Sequence, residues 1–314
     1  MPEHNVETVN PDRLHRNPEN PRLIFREDEL QALQESIRNQ GILVPLTVYR
    51  SDRALIILDG ERRWRCALKL GLPRVPVIIQ PKPDRMQNIM MMFAIHNARK
   101  DWDPLPTAYK LQELEVEFTQ RQGRAPRESE LAEIASMGRG EVRRLKKLLA
   151  LPEEYREQLM EELQKPRTQQ VITVDHVLET TKGVAALRKR QVINAREEER
   201  LRRALLEKFR TGVIKNTVAP RQLARIARAV EREEVSLGTA QSVTRRLVGD
   251  PTYSIDNAFR DSAAEADFEH GTEQLAERMN ARLSEHLEEG HYVGSGLREQ
   301  LLSLSTTIRA LLRG

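Results

Sequence analysis

Apolar positions recur along this chain at two different periods, and the change between them divides it. Up to about residue 80, short β-branched runs alternate with helical stretches. Glu29 to Gln40 carries Leu30, Leu33 and Ile37 at helical spacing and stops at Gly41, a C-terminal signal. Pro45 to Arg50 and Ala54 to Leu58 read as two strands of a hairpin around Ser51-Asp52-Arg53. Gly60 ends the second strand, Glu61 to Leu70 reads as a helix stopped by Gly71, and Val75 to Gln80 is another β-branched run. Strands interleaved with helices predict a compact α/β unit.

From Asp84 onward the periods are helical. The spacing predicts helices over Arg85–Arg99 and Leu105–Gln122, then a helix, a turn and a second helix between Arg127 and Ala150. Pro152 opens another, reaching about Gln164, and more follow at Asp175–Lys189, Ala195–Thr211, Pro220–Glu233 and Thr239–Val248. Gly249 to Gly271 is poor in large apolar residues and reads as a linker. Two amphipathic helices, Thr272–Glu288 and Gly294–Leu312, close the chain. The expected class is α+β, in four parts: 1–100, a small α/β domain; 101–248, a helical domain; 249–271, a linker; and 272–314, a helical end.

Composition narrows the function. The 314 residues are 31% charged yet carry a net charge of only +4, which describes salt-bridged helices, not a polycationic tail. Aromatics at 4% disfavour a single-strand binder that stacks bases on rings. Cys66 is the single cysteine, which excludes an internal disulfide and a multi-thiolate metal site. No apolar run is long enough to span a bilayer, and the first ten residues show no secretory pattern, so a cytoplasmic protein is expected.

The candidate chemistry concentrates in Asp59 to Cys66, DGERRWRC, where a strand gives way to a helix. Helix N-termini present unpaired amides and accept phosphate. Arg62, Arg65 and Lys69 share one helical face, and Trp64, Ala67 and Leu68 form the opposite, core-facing stripe. Arginine forks suit phosphate oxygens. Such a stripe on a helix is either a ligand face or simply a solvated one. Asn17 to Arg22, NPENPR, is a proline-stiffened loop that ends in an arginine: either a rigid surface turn or an arm holding Arg22 at a ligand. Gly41 to Pro45 is a tight connection whose backbone could read a base edge.

NPENPR, GILVPLTV and DGERRWRCALKLGLPRVPVII, in this order, resemble the N-terminal domain of ParB-type DNA partition proteins, a fold related to sulfiredoxin. The family's third element, Glu-Asn-x-x-Arg, is matched by HNARKDWDP, His96 to Pro104; its helix-turn-helix is matched by Glu130 to Tyr155. The resemblance implies a CTP-dependent clamp that leaves a palindromic DNA site and slides or spreads, serving plasmid or chromosome partition. Arg22, Gly60, Glu61, Arg62 and Arg63 would surround the triphosphate, the Gly41–Pro45 loop would lie against the cytosine, Asn97 would help hold Mg²⁺, and Glu61 would support hydrolysis. His96 stands in place of the family's acidic metal-site residue, and Lys100 in place of its arginine, which puts metal affinity and hydrolysis in question. Cys66 lies on the GERRWRC helix, not in a sulfiredoxin-like catalytic setting.

The helix-turn-helix, 127–150, is also legible without the family. Leu131, Ile134 and Ala135 form the inner side of its first helix, and Val142, Leu145 and Leu149 that of the second. Arg139, Arg143 and Arg144 would read bases from the start of the second helix, and Lys146 and Lys147 would meet phosphates. A basic face on an ordinary helical hairpin is the plainer alternative. The terminal helices carry Leu275, Met279, Leu283 and Leu287, then Leu297, Leu301, Leu304, Ile308 and Leu311. This stripe packs either against a second copy, giving a homodimer that matches a palindromic site, or back onto the chain's own helices. Strand-like sequence begins near Val6, so the basic tail through which family members stimulate a ParA-type ATPase is not expected. A helix-turn-helix repressor without nucleotide switching is the alternative function.

Overall fold

The computed structural model describes residues 6–52, 54–97 and 103–313; the side chains of His96 and Asn97 and all of Lys100 lie outside the described residues. The N-terminal unit is built on β1 (Val6–Val9), β2 (Leu14–His15), α1 (Glu27–Gln40), β3 (Leu46–Ser51), β4 (Ala54–Asp59), α2 (Glu61–Lys69) and β5 (Val75–Gln80). Its strands form one mixed sheet in the order β1-β5-β3-β4-β2. The β3–β4 hairpin is antiparallel, while β5 lies parallel to β3 with Leu46 opposite Val77. Alternation along the strands buries Leu46, Val48, Leu55, Ile57, Val75 and Val77 on one face with Ala67 of α2.

The other face carries Tyr49 and Leu58 against Met92 of α3 (Arg85–Asn97). Ile89 and Phe93 of the same helix belong to the helical core. This is why α3 is apolar nearly all round: it is buried on two sides. That core continues through α4 (Pro104–Gln122), α5 (Glu128–Ile134), α6 (Arg139–Leu149), α7 (Glu153–Gln164), α8 (Val174–Lys189), α9 (Ala195–Arg210), α10 (Arg221–Glu231) and α11 (Leu237–Gly249). It closes on α12 (Ile255–Arg260), ahead of α13 (Ala264–Glu288) and α14 (Ser295–Leu311). The class is α+β, as expected.

Several expectations need correction. The stretch 249–271 is not a plain linker: it contains α12 and the first turns of α13, and Tyr253, Ile255, Ala258 and Ala263 are buried. Small side chains carry little hydrophobic signal in a sequence but pack closely where helices cross. On α2, Leu68 is exposed, and the buried apolar positions are Cys66 and Ala67. In the helix-turn-helix, Leu148 is fully buried while Leu149 and Ile134 are only half-buried.

Candidate functional site

The site grows from the sheet edge upward. β4 ends at Asp59, and Gly60, at φ 101°, turns the chain into α2. A Cβ at Gly60 would stand 2.9 Å from Leu46 Cγ and 3.0 Å from Arg63 Nη2. Glycine therefore both permits the left-handed turn and leaves room for Arg63 to fold back. The Arg63 guanidinium donates to the Val44 carbonyl, to the Pro45 carbonyl at 3.0 Å and to Asp59 Oδ2 at 2.9 Å. One side chain thus bolts the Gly41–Pro45 loop to the start of α2.

Glu61, in the first turn of α2, is buried, and both its oxygens are engaged. Oε1 accepts from Arg65 Nε at 3.0 Å and Nη2 at 2.6 Å, and Oε2 accepts from Asn20 Nδ2 at 2.8 Å. Arg65 also lies over the Phe25 ring, 3.9 Å from its centroid. Asn20 Oδ1 in turn accepts the Arg22 N–H at 2.9 Å. The proline-rich loop is anchored further down, where Asn17 and Asn88 exchange two side-chain hydrogen bonds of 2.7 and 3.1 Å. Glu19, also on this loop, pairs with Lys110 Nζ at 3.1 Å and with Arg85 Nε at 3.1 Å. Asn20 escapes sequence reasoning, which attends to the arginine. Its signal is an asparagine ahead of a proline, a residue suited to bonding the backbone two positions on.

Between the loop and α2 lies a cleft of about 240 Å³ lined by Asn20, Arg22, Gly60, Glu61, Arg62 and Arg63 among others. A second cleft, of about 300 Å³, opens under Gly41, Leu43 and Val44 and shares Leu33 and Arg63 with the first. The structure therefore gathers Arg22, Gly41, Gly60, Glu61, Arg62 and Arg63 around two adjoining hollows, with Pro45 at their border through its bond to Arg63. The anticipated ligand face on α2 is partly taken: Arg65 holds Glu61, and Lys69 pairs with Glu27 on α1 at 2.6 Å. Arg62 Nη2 donates to the Glu29 carbonyl at 3.0 Å. Burial pushes the Glu29 carboxyl up, but Arg167, Arg26 and Arg62 outweigh it and hold the group below the usual range. The Asn97 side chain, expected at a metal, lies outside the described residues. Among the described residues the carboxylates of the cleft are Asp59 and Glu61, each already bound to a guanidinium. With both carboxylates engaged, the described residues of the cleft offer a hard cation few protein oxygens.

The second candidate surface is α6. Gly138 precedes it, and Ser136 in the preceding turn takes φ 51°. Arg139, Arg143 and Lys147 are exposed. Arg143 pairs with Glu128 on α5 and Arg144 with Asp175 on α8, each at 2.8 Å. Lys146 pairs with Glu115 on α4 at 2.8 Å, which makes it a brace between helices as well as a cation.

Residues 1–96 match the ParB N-terminal domain. That match places a ParB N-terminal domain at the start of this chain. It is 27% identical over 246 residues to the chromosome-partitioning protein ParB of Myxococcus xanthus, covering 77% of this chain and 79% of that one. To the ParB of Caulobacter vibrioides it is 35% identical over 151 residues, about half of each chain at 47%. The truncated Caulobacter crescentus ParB crystallised with CTP-γS is 30% identical, covering 50% of this chain and 85% of that one, with a TM-score of 0.29. No helix among the described residues is long and apolar enough to cross a membrane.

Proposed function

We propose that this chain is a CTP-binding, sequence-specific DNA clamp of the ParB type that acts in plasmid or chromosome partition, sliding or spreading from a palindromic site. The observation that carries the reading is the pair of adjoining clefts. One is walled by arginines at a helix N-terminus, suited to a triphosphate, and the other lies under an exposed loop backbone, suited to a base. Pockets for such ligands typically span about 300–1,000 Å³, the range the two hollows reach together. Arg22 and Arg62 bind phosphate oxygens, Gly60 and Arg63 set the wall between the clefts, and Gly41–Pro45 meets the cytosine. Mg²⁺ would neutralise the phosphates, with Asn97 as a protein ligand. Glu61 supports slow hydrolysis once the nucleotide rearranges its bonds to Asn20 and Arg65.

The helix-turn-helix reads duplex DNA through Arg139, Arg143 and Arg144 in the major groove, with Lys146 and Lys147 on phosphates. A homodimer formed through α13 and α14 would match a palindrome. A ParA-type ATPase is the partner that partition implies, and the bacterial cytoplasm is the setting.

Titration calorimetry of the full chain with Mg²⁺ and duplex DNA tests this. CTP is expected to bind in preference to UTP, ATP and GTP, and Arg62→Ala to weaken it about tenfold, the worth of one charge-assisted hydrogen bond. Absence of CTP uptake by the wild-type chain would leave a helix-turn-helix repressor without a nucleotide switch.

A further inference from the structure

A trough at the far end of α8 has no part in the sites above. It has a volume of about 780 Å³ and is lined by Arg188, Lys189, Asn194, Glu197 and Gln241. A neighbouring hollow of about 260 Å³ shares Ile193 and Glu197 with it and adds Arg200 and Arg245. Four cations thus face a continuous concavity that holds one acid. That acid is already occupied: Glu197 Oε2 accepts the Asn194 N–H at 2.8 Å and so caps α9. Lys189, Arg200 and Arg245 have no carboxylate partner among the described residues, and Arg188 stands 3.9 Å from Glu198. Elsewhere this chain commonly pairs its surface arginines with acids, as at Arg143 and Arg221. An excess of unpaired positive charge in a concave surface calls for a polyanion.

The position of the trough selects which one. Asp175, Lys182 and Lys189 are seven residues apart on α8 and therefore lie along one line of the helix. At the start of that line Asp175 binds Arg144 of the recognition helix at 2.8 Å. Lys182 and Lys189 are exposed. From Asp175 to Lys189 the helix rises about 21 Å, or about six base-pair steps of a duplex strand. We infer that this trough is a second docking site for the phosphates of duplex DNA, placed beyond the recognition helix. The inference rests on the reading that the chain engages duplex DNA. Phosphate contacts of this kind position a duplex and add affinity without selecting its sequence.

Fluorescence anisotropy with a labelled random-sequence duplex tests it over a range of salt concentrations, using the full chain. The triple variant Lys189→Gln, Arg200→Gln, Arg245→Gln is compared with a control of equal charge change at exposed arginines of the N-terminal unit that belong to neither cleft, Arg13→Gln, Arg50→Gln, Arg74→Gln. The trough variant is expected to bind about tenfold more weakly, with a salt slope shallower by about one for each phosphate it no longer neutralises, while the control stays near wild type. Each single substitution is measured as well, so a folding failure of the triple variant leaves the answer intact. Equal losses in both triple variants, or unchanged affinity and slope in the trough variant, overturn the inference. Retained duplex affinity with loss of binding to a polyglutamate peptide also overturns it, marking an acidic-protein surface. A wild-type chain that ignores the duplex at all salt concentrations is a separate result, one that removes the DNA-binding reading itself.

Discussion

Glu130 organises the entry to the helix-turn-helix with a single half-buried carboxylate. Arg124 grips it through two nitrogens, at 2.6 and 2.8 Å, and the Arg127 N–H donates to Oε2 at 2.7 Å, capping α5. The Arg124 hydrogen bonds first, and then that backbone N–H, lower its pKa from 4.5 to about 2. A depressed carboxylate adds stability above its ordinary value and loses that contribution as pH falls toward the folded value. Thermal midpoints measured between pH 4.5 and 2 should therefore drop more steeply in the wild type than in Glu130→Gln. Parallel curves would show that the cap contributes nothing. At this scale, the glycine and arginines of the GERR element were visible in the chain because their chemistry is local. The bonds that restrain them were not: Asn20 is far from Glu61 in sequence, and only the loop's return across α2 joins them.

Helix crossings depend on details of side-chain size that periodicity does not weigh. Gly183 lies in α8 where α10 begins, and a Cβ built on it would overlap the Pro220 carbonyl oxygen. Backbone cannot yield as a flexible side chain would, so Gly183→Ala is expected to cost about 1–3 kcal/mol. Denaturant titration measures this; an unchanged midpoint would mean that α8 and α10 slide apart freely. The helical periods of 85–248 were legible because each helix carries its own apolar stripe. The stretch 249–271 reads as a linker because its buried positions include small ones, Ala258 and Ala263, which carry weak signals one at a time and pack well only together.

Across the molecule, the N-terminal unit is joined to the helices by buried polar contacts as well as by α3. Arg26, fully enclosed, donates to Asp103 at 2.7 Å and to the Leu163 carbonyl at 2.6 Å, and Glu29 pairs with Arg167 at 3.1 Å. The opposite end is different. α13 and α14 bury no residue, and Phe268, Leu275, Leu287, Leu302 and Leu311 are all more than half exposed. A stripe this open calls for a covering surface, which in the proposed homodimer a second copy would supply at matching period. Sedimentation velocity should find a dimer for the wild type and a monomer for Leu287→Glu with Leu302→Glu. A wild-type monomer would end the dimer proposal.

By itself the sequence determined α1, β3, β4, α2 and β5 of the N-terminal unit, the helical periods that follow, the helix-turn-helix and the arginine-rich start of α2, while the short strand β2 escaped it. Each of these depends on neighbours within a few positions, where spacing and turn chemistry act directly. Tertiary structure alone decided that Glu61 is held by Asn20 and Arg65, that Arg63 latches the loop before β3, and that unpaired cations converge beyond α8. Those outcomes depend on distant segments meeting at hydrogen-bond range, and no local pattern encodes that meeting.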